Sequence, residues 1–326
     1  MERIHNIRNQ AVAYLLLAIF LFSFFFIDFF QFDEYFPGHI KSVHVIFLSI
    51  VLEAIPFILL GVFISSFIQI FVSEKTIQKF LPKNPFAALF PAAILGAIFP
   101  VCECAIVPIV RRLIKKGVPL HIGVVFLVGA PILNPVVFAS TYYAFQSNVE
   151  VAFARMGLAF ILSIVMGFVI YLFFENRSQL KEEYHHHHHH HHHQNKFMSM
   201  LHHASDEFFD MGKYLIIGAF VASLFQAYLD RTLLINIGND EWLGPAVMMA
   251  FAYVLSLCSE ADAFVASSFA NLFSTSSLLA FLVYGPMIDL KNTIMLFAYF
   301  KKKFVLTFLI VVTVVVYFSI LIYQGI

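Results

Sequence analysis

Hydrophobic positions in this chain come in long unbroken blocks, not in alternation and not in narrow stripes. The blocks run from about Ala11 to Phe30, Val43 to Val72, Pro85 to Val110, Val118 to Phe145, Val151 to Phe174, Phe208 to Leu229, Leu243 to Ala270, Ser276 to Phe300 and Phe304 to Tyr323. A helix needs about 20 apolar residues to cross a hydrocarbon core, and most blocks reach that length. Continuous blocks also argue against a β-barrel, whose strands alternate. The pattern predicts an all-α polytopic membrane protein. Composition agrees: 60% of residues are hydrophobic, 12% are charged and 41 are Phe, which excludes a soluble enzyme.

The polar residues between blocks decide how many of them cross. Positive charge in short loops belongs on the cytoplasmic side. Nine simple spans would place Lys75, Lys79 and Lys83 opposite Arg111, Arg112, Lys115 and Lys116. The conflict disappears if Pro85–Leu113 enters and returns as a re-entrant hairpin with its tip near Pro100–Cys104. If Leu243–Ala270 does the same from outside, Lys301–Lys303 is also inside, and Asp33, Glu34, Glu150, Asp240 and Glu241 are outside. Such backbone is tolerated where it is buried in protein or lines a cavity. The expectation is seven crossings plus two hairpins with a cytoplasmic N-terminus; nine spans remain the alternative if basic outer loops are tolerated. No small-residue cleavage site follows the first block, so it reads as a retained span.

An internal repeat supports the hairpins. Glu53 to Gln69 aligns without a gap on Asp210 to Gln226, matching Gly61 with Gly218, Phe63 with Phe220, Ser66 with Ser223 and Gln69 with Gln226. Nearly the same offset sets Cys102 on Cys258, Cys104 on Glu260, and Gly129–Asn134 on Gly285–Asp289 with one residue dropped. With a hairpin, each unit has an odd number of crossings, so the units are inverted. Inverted repeats whose broken helices meet at midplane are a secondary-transporter design. The chain divides into a first span and outer loop (1–42), a first repeat (43–174), a cytoplasmic His-rich loop (175–204) and a second repeat (205–326).

Candidate chemistry collects at the breaks. An ionisable residue at membrane depth costs roughly 2.5–3.5 kcal/mol and marks a functional site by default. Glu103 sits between Cys102 and Cys104 after Pro100, and Glu260 and Asp262 follow Cys258. Thiolates select soft or borderline partners such as zinc, Cu(I) and trivalent arsenic; the competing reading is that buried Cys is a small hydrophobe. The carboxylates would compensate cation charge or carry a proton. Glu53 and Asp210 also lie in apolar blocks, though close to their ends. Asn134 and Asp289 offer polar heads where Gly and Pro break two further spans. Arg111, Arg112, Lys115 and Lys116 read as a topology anchor. The tract His185, His186, His187, His188, His189, His190, His191, His192, His193 binds Zn²⁺, Ni²⁺ or Cu²⁺ loosely through neutral imidazoles, unless it is a remnant affinity tag. No Walker A, dinucleotide-binding or haem motif occurs. His44 and His121 lie near block ends, so no Cys–His nucleophile pair is in view.

At Phe99-Pro-Val-Cys-Glu-Cys104, Gly129-Ala-Pro-Ile-Leu-Asn-Pro135, Cys258-Ser-Glu260 and Tyr284-Gly-Pro-Met-Ile-Asp289-Leu-Lys291 the chain resembles a bacterial predicted-permease family. Its best-known branch is the ArsP-type organoarsenical efflux permeases. The resemblance covers about Val43 to the C-terminus. It implies a gradient-driven permease and, in one branch, efflux of trivalent methylated arsenicals through a thiol site, here Cys102, Cys104 and Cys258. The His tract is outside the family pattern and pulls the cargo toward zinc-like divalent metals.

The expectation is therefore a non-enzymatic secondary permease in a bacterial cytoplasmic membrane, moving a thiophilic metal or metalloid. Cys102, Glu103, Cys104, Cys258, Glu260, Asp262, Asn134 and Asp289 would bind substrate. Cys102, Cys104, Cys258, Glu260 and the His tract would ligate metal. No cofactor is expected beyond the transported ion. Expected partners are lipid, the metal or metalloid, and either a second copy or an accessory metal-handling protein, with no nucleic acid. A metal sensor, or a permease for an unrelated small solute, is the alternative.

Overall fold

The computed structural model describes residues 38–71, 73, 84–98, 101–146, 148–174, 179–181, 196–228, 240 and 242–325. Among these it is all-helical but for one isolated bridge. The helices are α1 (Gly38–Phe71), α2 (Leu89–Ile98), α3 (Glu103–Lys115), α4 (Leu120–Leu133), α5 (Pro135–Ala144), α6 (Val149–Phe174), α7 (Lys196–Tyr228), α8 (Leu243–Leu255), α9 (Ser259–Ser268), α10 (Thr275–Met287), α11 (Leu290–Tyr299) and α12 (Lys302–Gln324). A long helix, four shorter ones and a long helix follow in that order twice. The predicted first span, the loop carrying Lys75, Lys79 and Lys83, the Phe99–Pro100 break and the His tract lie outside the described residues.

Five helical spans are long and apolar enough to cross a membrane, and the bent pair α4–α5 makes a sixth. The described residues therefore hold five or six of the seven expected crossings, and the first predicted block lies outside them. The Pro85–Val110 and Leu243–Ala270 blocks are each split into two short helices, and contacts show that each pair turns back. Ala88, Leu89 and Ala92 pack with Ile122 and Val125 near the start of α4, and a Cβ on Gly96 would stand 3.4 Å from Ala130 N near its end. So α2 runs parallel to α4. A Cβ on Gly123 would meet Ile114 and Val110, so α3 runs back antiparallel. In the second half Gly285, late in α10, abuts both Ala252 of α8 and Asp262 of α9, which places the tip of that hairpin at the far end of α10.

The halves are inverted. The Arg111 guanidinium, late in α3, stacks 4.2 Å over the Tyr299 ring at the end of α11. The start of α4 and the end of α10–α11 therefore share one face, with Lys115, Lys116 and Lys301. At the opposite face Ser276, early in α10, donates to Gln324 at the end of α12 (3.3 Å). Leu180 pairs with Phe300 in an antiparallel bridge, and Glu207 of α7 meets Arg112 (3.3 Å). Both flanks of the His-containing segment thus lie on this basic face. Helix α7 begins at Lys196, so the stretch read as loop through Ala204 is helical in its last part. Hydropathy ends a membrane block at polar residues such as His203 and Glu207, but polarity does not stop a helix.

The centre is α10–α11, whose apolar window is 89% buried against 33–39% for the other four spans. Those four turn Leu52, Phe153, Phe209 and Ile310 outward, as a lipid-facing surface requires. Phe47 meets Phe220 edge-on (centroids 6.2 Å) and seals α1 against α7 with Ile50, Val51, Ala219 and Ala222.

Candidate transport site

The four interior breaks all restart a helix, and the residue at each restart is one of the matched polar positions. Cys102 and Cys258 precede α3 and α9, while Asn134 and Asp289 precede α5 and α11; all four have extended backbone. Asn134 Oδ1 accepts from Val137 N at 2.9 Å, and its amide reaches Pro131 O at 3.4 Å, so its side chain is engaged in capping. Pro135 follows at the first helical position, where a missing N–H costs nothing. Asp289 Oδ1 caps α11 through Asn292 N. Neither cysteine makes a side-chain cap bond. Glu103 lies in the first turn of α3, and Glu260 and Asp262 in that of α9, where the positive end of the helix dipole favours carboxylates.

Packing draws these breaks together. Glu103 is 2% exposed and Lys291 3%. Lys291 Nζ stands 3.5 Å from Glu103 Oε1, 3.5 Å from Asp289 Oδ2 and 3.2 Å from Ser256 O. The Cys104 thiol lies near this cluster and near Cys102. Ser256 can aim its carbonyl there because its backbone is left-handed (φ 49°, ψ 42°). That conformation is costly for a non-glycine residue. Cys258, at the second tip, lies near both Glu103 and Glu53 of α1.

A second buried cation holds the other tip. Arg155 of α6 is fully buried and donates to Leu282 O (3.1 Å), Thr141 Oγ1 (2.8 Å) and Ser259 O (3.0 Å). It spends its donors on a hydroxyl and two carbonyls, although Asp262 and Glu260 lie within its field. The carboxylates keep buried oxygens without a hydrogen bond, both of Glu103 and one each of Glu260, Asp262 and Asp289, although Glu103 Oε1 and Asp289 Oδ2 face the Lys291 ammonium as ion pairs. Three fully buried carboxylates (Glu103, Asp262, Asp289) thus surround two buried cations. Charge compensation is essential, since an isolated buried ion costs several kcal/mol.

Matched glycines allow this packing. A Cβ on Gly61 would fall 2.7 Å from Ala105 O, and one on Gly218 3.2 Å from Lys291 Cα. Helix α1 therefore lies directly on the first tip, and α7 on the backbone of Lys291. The basic residues late in α3 do more than anchor topology. Arg111 and Arg112 engage Glu207 at 3.6 and 3.3 Å, Ser65 donates to Glu207 at 2.8 Å, Tyr299 donates to Asp210 at 3.1 Å, and Lys116 reaches Gln69 O at 2.8 Å.

The structure gathers Cys102, Glu103, Cys104, Glu260, Asp262 and Asp289 around Lys291 and Arg155, keeps Asn134 in a cap, and places Cys258 near Glu103 and Glu53. No group of three or more His, Cys, Asp or Glu among the described residues is arranged to hold a metal ion. Sequence reasoning passed over Arg155 and Lys291. Arg155 lies inside the apolar Val151–Phe174 block, where the rule that flagged the acids applies equally.

A family model described as a predicted permease (ArsP_1) matches residues 39–325. The UPF0718 protein YcgR of Bacillus subtilis is 50% identical over 282 residues, covering 86% of this chain and 96% of that protein. A Streptococcus mutans protein, provisionally named a two-component membrane permease complex subunit, is 40% identical over 275 residues, with 83% of this chain and 91% of its own length covered. The UPF0718 protein MJ0584 of Methanocaldococcus jannaschii is 26% identical over 110 residues, with 33% and 30% covered. No solved structure matches.

Proposed function

The chain belongs to the predicted-permease family, as a multi-pass membrane protein, and from that premise we propose that it is a secondary permease for a thiophilic metal or metalloid. The observation carrying this reading is the meeting of the two hairpin tips, with their thiols and under-paired carboxylates, at the interface of two inverted halves. Cargo enters between the tips. Cys102, Cys104 and Cys258 supply the sulfurs. Glu103, Glu260, Asp262 and Asp289 offset cargo charge, because an ion without partners there is prohibitive. Candidate cargoes are a zinc-like divalent ion and a trivalent organoarsenical. The basic face is cytoplasmic by the positive-inside rule, which puts the His tract in the cytoplasm as a loose metal collector. The name of the S. mutans relative speaks of a two-component complex, so a second protein is the partner we propose here; a second copy of this chain is the alternative.

The test is metal and arsenical content of cells carrying wild type, or a variant with all three cysteines replaced by alanine at equal membrane abundance. Wild type should change the content of at least one thiophilic cargo and the variant should not. Normal transport by the variant would remove the thiols from the pathway and leave an oxygen-lined site. The unpaired carboxylate oxygens favour that second reading, a permease for a hard cation.

A further inference from the structure

Lys291 is unusual among the groups around the tips because its side chain reaches both of them. It meets Glu103 of the first tip at 3.5 Å and the Ser256 carbonyl of the second at 3.2 Å, while also facing Asp289 at 3.5 Å. Its environment fixes it there. The residue is 3% exposed, and α7 lies against its Cα where Gly218 leaves room. Glu103 Oε2 has no hydrogen-bond partner, and Glu103 Oε1 and Asp289 Oδ2 meet the ammonium as ion pairs without a hydrogen bond. An ammonium in this position already occupies the place a cationic cargo would take among the carboxylates. Arg155 cannot act in the same way, because its donors are committed to Leu282 O, Thr141 and Ser259 O.

We propose that Lys291 is a tethered resident cation that competes with a positively charged cargo for Glu103 and Asp289 and thereby sets the charge selectivity of the site. The inference rests on the permease reading above and adds a specificity-determining residue to it. Cationic cargo binds as the ammonium moves off Glu103, and the returning ammonium helps expel it. A neutral thiol-reactive cargo meets no such competitor. Lys291 therefore lowers affinity for a charged cargo and leaves affinity for an uncharged one unchanged.

The experiment measures binding of Zn²⁺ and of neutral phenylarsine oxide to the purified full-length protein in nanodiscs, for wild type, Lys291→Met, Lys291→Gln and Lys291→Arg. Removing a unit charge a few ångströms away, at an effective dielectric constant of about 20, should tighten Zn²⁺ binding by at least about tenfold. Phenylarsine oxide binding should stay within about twofold, and Lys291→Arg should resemble wild type for both probes. If Lys291→Met does not fold, Lys291→Gln carries the same comparison. Unchanged or weaker Zn²⁺ binding in the neutral variants overturns the inference. So does a parallel change for both probes, which would mark a merely structural lysine. A wild type that binds both probes while its neutral variants show no Zn²⁺ gain sinks this inference alone. A wild type that binds neither probe sinks the permease reading with it.

Discussion

Replacing Arg155 by methionine should be among the most damaging single changes in the membrane interior. The side chain is 0% exposed and makes three hydrogen bonds of 2.8–3.1 Å to groups on α5, α9 and α10. Bonds from a charged donor contribute roughly 1.5–3 kcal/mol each, but such terms overlap and do not add. Removing one partner from a buried charged network costs roughly 3–5 kcal/mol, because Asp262 and Glu260 also lose a nearby positive charge. At about 2 °C per kcal/mol for a chain of this size, the melting midpoint should fall by about 6–10 °C. Lysine retains the charge but not the planar fork, so Arg155→Lys should fall between the two. Trp242, the single tryptophan, is 66% exposed and reports poorly on the interior. The assay is therefore the monodisperse fraction surviving a fixed heating protocol, which tolerates irreversible unfolding. A methionine variant that melts with wild type, or no lower than the lysine variant, would refute the reasoning.

Gly61→Ala should destabilise by roughly 1–3 kcal/mol, since the new methyl would meet backbone of Ala105 at 2.7 Å; Gly157→Ala, with nothing within 4 Å, should be neutral or stabilising by roughly 0.5–1 kcal/mol. Equal melting of the two would mean that α1 does not bear on the first tip. Ser256→Gly keeps the carbonyl that Lys291 uses and relieves left-handed strain of roughly 1–2 kcal/mol, partly offset by the lost Ser256–Tyr253 bond. Ser256→Val should destabilise by at least about 1 kcal/mol, and the same heating assay would expose a reversed order.

The hairpins could be read from the chain because charge and hydropathy disagreed there. Lys115 and Lys116 had to share a side with other basic residues, and Cys102 to Cys104 broke an apolar block at its middle. The matched Gly61 and Gly218 were visible as a repeat, but not their purpose. Each meets a different neighbour, Ala105 or the backbone of Lys291, so the reason lies between helices far apart in sequence. Arg155 was legible, since it lies one turn inside an apolar block, but its partners on three other helices were not. The partners of Lys291 were not legible, because Glu103 lies 188 positions away and Ser256 contributes only its backbone. The nearness of Cys258 to Glu53 of α1 was not legible either, because the repeat pairs Cys258 only with Cys102.

The unequal capping of the four breaks has a mechanical consequence. Helices α5 and α11 begin with a side-chain oxygen holding the first turn, whereas α3 and α9 begin at cysteines that hold nothing. A missing cap leaves a first turn softer by roughly 1 kcal/mol. Compliance is thus placed at the two thiol-bearing tips, which can unwind by a turn around a guest, while the capped pair stays stiff. Serine at 102 or 258 would add the cap oxygen as it removes the sulfur, stiffening the tip that was meant only to lose its thiol. Alanine takes away the thiol and leaves the give.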